Sequence, residues 1–128
     1  MNVTEIVPGL WRWTAPHPDW KAGDDWEREV GCVYYEAPGG VEPFVVAEVD
    51  ETLWWLPEHA TLVAGDVLVG ADRGIEVCPD SWLDERSSHT SIRAALAPLL
   101  ELPLERVLVS HGEPVLTDGA AALARALG

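Results

Sequence analysis

The chain has 128 residues, 48% of them hydrophobic, with 22 acidic against 8 basic side chains and a formal charge of −14. The length suits a single domain over residues 1–128, the hydrophobic content excludes wholesale disorder, and the charge repels phosphate backbones and so argues against nucleic acid as a partner. No apolar run approaches the ~20 residues of a membrane helix, and MNVTEIVPGLWRW has no basic segment followed by an apolar one, so the expectation is a cytoplasmic protein without signal peptide or membrane contact.

In chain order, VTEIV and LWRWTA flank the turn signal Pro8-Gly9 and predict a hairpin. PHPDWKAGDDWERE follows as a polar loop carrying Trp20 and Trp26, and VGCVYYEA is the next strand, stopped by Pro38-Gly39-Gly40. VEPFVVAEV is a further strand, and Pro43 places it at an edge because proline offers no ladder donor. Asp50-Glu51 and Pro57-Glu58-His59 mark turns on either side of TLWWL, and TLVAGDVLVG has strand character on both sides of Gly65-Asp66. Ala71 to Arg86 reads as irregular. Ser87 or Ser88 caps a helix from about His89, with Ile92, Ala95, Leu96, Leu99 and Leu100 on one face and Pro98 ending or kinking it. RVLVS is a buried strand, and Thr117 caps a last helix whose Ala120, Leu123, Ala124 and Leu127 share a face. The order predicts an α+β fold, β-rich first and β-α-β-α at the end, with helices packed on one face of a mixed sheet.

Two residues stand out for chemistry. His111 ends a buried strand and precedes a glycine; Asp66 interrupts an apolar run and follows one. A carboxylate at such a break needs a partner, either local backbone donors or a metal ion. His17, His59 and His89 are weaker candidates: His17 lies between prolines, His59 in a turn that reads as solvated, and His89 at a helix start. No H-x-H, H-E-x-x-H or C-x-x-C spacing occurs, so the chain has no self-contained zinc motif. Cys32 and Cys78 are far apart, and Cys32 reads as a small buried thiol in its strand. Ser110 and His111 are neighbours along the predicted strand and point to opposite faces, which argues against a nucleophilic pair. The seven tryptophans serve packing or line an aromatic pocket; Trp11 and Trp13 share a strand face, and of Trp54 and Trp55 one faces in.

These residues carry a family resemblance. TLVAGDVLVG resembles the strand of metallo-β-lactamase-fold proteins whose Gly-Asp supplies a metal-bridging aspartate, and RVLVSHGEPV resembles the late strand whose His-Gly supplies the last histidine ligand. VPGLWRWTAP and GCVYYEAPGG resemble the family's opening strands. The resemblance implies a reduced version of an αββα sandwich, with Asp66 and His111 as metal ligands and zinc as the metal. The family's HxHxDH segment has no counterpart here, and catalytic zinc needs about three protein ligands. The expectation is therefore a shortened relative that has lost most metal ligands and has no hydrolase activity as a monomer, with catalytic residues and small-molecule ligand unspecified. Because half a sandwich leaves an apolar sheet face uncovered, a homodimer is also expected. The alternative is a metal-dependent ester, thioester or lactam hydrolase whose zinc site is completed by another chain. An unrelated α+β binding protein becomes the better reading if Asp66 and His111 lie far apart.

Overall fold

A computed structural model describes residues 2–72 and 74–128. The first three strands, β1 (Thr4–Val7), β2 (Leu10–Pro16) and β3 (Glu29–Tyr35), form an antiparallel sheet in that order. Gly9 makes the first turn at φ +87°, a conformation that side chains other than glycine's resist. Period-two alternation gives this sheet two different faces. Leu10, Val33 and Tyr35 point inward onto Leu56 and Leu108. Trp11, Trp13, Cys32 and Tyr34 lie on the opposite face, where Trp11 and Tyr34 pair at 5.4 Å between ring centroids.

A mixed sheet forms the middle layer. β4 (Glu42–Val46), β5 (Glu51–Leu56) and β6 (Thr61–Val63) are antiparallel neighbours, and β4 is the edge strand that Pro43 predicts. β7 (Leu68–Ala71) and β8 (Gly74–Val77) make a separate hairpin, and α1 (His89–Leu96) then leads through a 3-10 segment to β9 (Arg106–Leu108). β9 returns parallel to β6, as a crossover connection allows. α2 (Gly119–Leu127) packs against β8 and β9. β5, β6 and β9 each serve both neighbours, while β4 contributes Phe44 and Val46 to the large core. Leu53, Trp55, Leu62 and Val107 join the large core with Ile92, Leu96 and Leu123 of the helices, whereas Leu56, Val63 and Leu108 join the small core under the first sheet. The layering is sheet, sheet, helices, and the α+β class with helices on a mixed sheet is observed.

Several local expectations need correction. The strands form three sheets, because β7 and β8 pair only with each other. The stretch 71–86 is not wholly irregular: β8 lies within it, too short and too glycine-broken to give a period. β9 stops at Leu108, before Ser110. α1 buries Ile92 and Leu96 as expected, but the backbone tightens to 3-10 geometry at Ala97–Glu101, which keeps Leu99 inside and turns Leu100 out. In α2 the buried residues are Gly119, Ala122 and Leu123, while Ala124 is exposed. The residue preceding that helix is Asp118, in a left-handed conformation without a side-chain cap, rather than Thr117. Ser88 does cap α1, in a reciprocal capping box with Ser91.

Candidate functional site

Asp66 and His111 meet because β6 and β9 are parallel and in register. Val63 pairs with Leu108, the two last residues of their strands, and each candidate lies three residues further on. The backbone N–H of Ala64 donates to Leu108 O at 2.8 Å and extends the alignment past the strands. His111 Nε2 then lies 3.1 Å from Asp66 Oδ1. The imidazole is largely enclosed and the carboxylate largely open, with side-chain exposures of 16% and 69%.

Close backbone contacts hold both loops. Gly70 N–H donates to His111 O at 2.7 Å. A Cβ on Gly70 would collide with the Glu113 backbone, and one on Gly112, at φ +84°, would stand 2.8 Å from Gly70 Cα. Only glycines permit this approach. Arg12 reaches from the first sheet to donate to Val109 O and Gly112 O, 3.2 Å each. On the Asp66 side, Glu51 at the start of β5 accepts the N–H groups of Asp66 at 2.7 Å and Val67 at 3.0 Å through Oε1. Burial pushes the Glu51 carboxyl above the ordinary range, and the nearby Asp66 charge adds to the rise against the pull of those N–H donors.

A cleft of about 630 Å³ opens over the pair, within the ~300–1,000 Å³ common for small-molecule sites. Its aromatic walls come from distant segments. Trp26, in the loop between β2 and β3, sets its ring 5.5 Å from that of His111, and Trp82, in the 3-10 turn after β8, sets its ring at 5.0 Å. Trp82 Nε1 and Ser81 Oγ both donate to Asp25 Oδ2 at 3.1 Å, which ties the second wall to the first loop. Trp26 also meets His17 edge to face at 5.2 Å, and Trp20 Nε1 donates to Trp26 O at 2.8 Å.

Asp66 and His111 are the two residues the sequence singles out, and the fold joins them. Sequence reasoning missed Glu51 and Asp25, since acidic residues abound here and only tertiary contacts mark these two. Trp26 and Trp82 were visible only as unplaced aromatics. His59 corrects its expected solvated turn: it is buried, and Nε2 lies 2.8 Å from Glu36 O. His89 Nε2 lies 2.8 Å from Cys78 O, away from the pair. Cys32 is half-buried on the outer sheet face instead of in the core, and both cysteines are free. Ser110 borders the cleft together with His111, because β9 ends too early for strand alternation to separate them.

The chemistry open to the pair is limited. An ionised Asp66 accepts from Nε2–H, which leaves the lone pair on Nδ1, and that atom is buried without a partner. The dyad therefore presents no exposed basic nitrogen to the cleft. Nε2 and Oδ1 are spaced as two ligands of one zinc ion would be, roughly 3.3 Å for tetrahedral bonds of ~2.0–2.1 Å. Among the described residues, however, no group of three or more His, Cys, Asp or Glu side chains could hold a metal ion. Two donors do not fit a catalytic zinc site. No helix among the described residues is long and apolar enough to cross a membrane. Comparison with protein-family models and with curated proteins returns no match.

Proposed function

We propose that this chain is a metallo-β-lactamase-fold-related protein that has lost most metal ligands and, as a monomer, holds a small molecule rather than hydrolysing one. One observation carries the reading: Asp66 and His111 converge to 3.1 Å in a cleft, and among the described residues no group of three or more His, Cys, Asp or Glu side chains is arranged to hold a metal ion there. The sheet–sheet–helix layering is consistent with a sandwich short of one outer layer. The exposed turn aspartate is explained as a remnant ligand, and its contact with His111 as the hydrogen bond two such residues make without an ion. Purification without chelator, followed by elemental analysis and assays on ester, thioester and lactam substrates, tests this. The expected result is below about 0.1 zinc per chain, no shift of Tm with added zinc, and no turnover above buffer. Stoichiometric zinc in a monomer with turnover abolished by His111→Ala would overturn it.

The missing layer also supports a homodimer. The outer face of β2 and β3, with Trp11, Trp13, Cys32 and Tyr34, packs against neither core cluster and carries no charge of its own, with Glu5 of β1 beside Trp11 as a charge at its border. In a chain of charge −14 this is where a second copy approaches with least repulsion. Light scattering is expected to give a dimer that Trp11→Thr with Tyr34→Thr converts to a monomer; a wild-type monomer at micromolar concentration excludes it. A zinc site completed by another chain, the alternative for a hydrolase, sits poorly with this dimer. The face in question is the one turned away from Arg12 and the His111 loop, so the two pairs would lie on opposite sides of the joined sheets, each layer adding about 10 Å.

A further inference from the structure

The cleft over Asp66 and His111 has an uneven chemistry. Trp26 and Trp82 form its apolar walls, and Asp19, Asp25, Glu51 and Asp66 supply its charge. No lysine or arginine among the described residues lines it. The walls are fixed before any ligand arrives. Trp82 is held through its indole N–H by Asp25, Trp26 is held by His17 and by the indole N–H of Trp20, and both rings abut the enclosed His111 imidazole. Trp82 and Trp26 are each only half-buried, so both keep surface for a ligand. A rigid tryptophan surface beside an open carboxylate suits one class of ligand above others. The ring quadrupole attracts a poorly hydrated positive charge, and the carboxylate attracts it at longer range. An anionic or phosphorylated ligand meets the opposite: several carboxylates and no described cation to pair with it.

We propose that the cleft binds a small organic cation, an alkylated amine or quaternary ammonium, with its alkyl groups against Trp26 and Trp82 and its charge facing Asp66. The inference rests on reading the cleft as a binding site rather than a hydrolytic centre, and it adds the ligand class. Asp66 has a carboxylate oxygen to spare, since Oδ1 alone is engaged in the hydrogen bonds of the described residues. Asp25 acts indirectly by orienting Trp82, so it is a positioning residue.

The test compares choline with its uncharged carbon isostere 3,3-dimethylbutan-1-ol by calorimetry and by NMR titration, at low ionic strength with EDTA present. Choline is expected to bind at one site at least about tenfold more tightly than the isostere. Asp66→Asn and Trp82→Ala should each weaken choline about fivefold or more while leaving the weak isostere binding at Asp66→Asn unchanged. Should Trp82→Ala fail to fold, Trp26→Ala and Asp25→Asn give the same readout from the other wall and from the ring's anchor. Equal binding of choline and the isostere, absence of saturation by choline up to about 50 mM, or choline binding indifferent to Asp66→Asn would overturn the inference. Because zinc is chelated in this experiment, its failure is distinguishable from failure of the non-hydrolytic reading, which the elemental analysis decides alone.

Discussion

Glu51 shows how one side chain can both line a site and hold its neighbour in place. Its carboxylate secures the Asp66 turn through two backbone N–H groups, yet it is buried close to a second carboxylate, so its folded-state pKa lies above the unfolded value. The stability it contributes is therefore complete below the ordinary carboxylate pKa and declines as pH rises through the raised folded-state pKa. Glu51→Gln keeps an acceptor for the turn and cannot ionise. Urea unfolding from pH 4 to pH 8 should show the substituted protein gaining on wild type as pH rises; parallel profiles would refute the assignment. Gly70 is a second single-residue constraint. Gly70→Ala has no room against the Glu113 backbone and should cost about 1–3 kcal/mol in the same experiment. It should also shift the His111 imidazole NMR signals, because the strain falls on the His111 loop.

Among the elements, α1 is the most legible, β9 is legible except in its extent, and β8 is the least legible. Ser88 and Ser91 exchange side-chain to backbone hydrogen bonds, so the helix start is written locally. Ser88→Ala should lower stability by about 1 kcal/mol, measured by denaturant unfolding, without altering the cleft. Pro98 ends the helix locally as well. β9, by contrast, is three residues of ladder, and its length is set by β6, its single long-range partner in the mixed sheet. The run RVLVS has strand character to its end, but the ladder stops where β6 stops. That early stop lets Ser110 and His111 border the same cleft. β8 was missed for a related reason: four residues led by a glycine give no period until β7 folds onto them.

At the scale of the molecule, charge is the dominant unpaired quantity. The ion pairs among the described residues are exposed ones such as Arg86 with Asp50 and Asp84, and they offset little of a net −14. Screening should therefore stabilise the fold. Raising NaCl from about 20 mM to about 0.5 M is expected to raise Tm by several degrees in a thermal melt, since the Debye length shrinks from roughly 20 Å to under 5 Å. A flat or falling Tm would show that self-repulsion does not limit stability.

Turn residues, caps and hydrophobic alternation are local properties, and from them the sequence alone determined the α+β class, most strands, the start of α1 and the two residues worth watching, Asp66 and His111. It could not place Trp26, Trp82, Asp25 or Glu51 around them, nor bury His59, because those facts depend on which distant segments touch. Only the tertiary structure decided that β6 and β9 run parallel and in register. That register brings two strand-end side chains, 45 positions apart in the chain, within 3.1 Å of each other. The physical reason is that a strand's chemistry is written along its own length, whereas its register is decided by the partner that completes its hydrogen bonds.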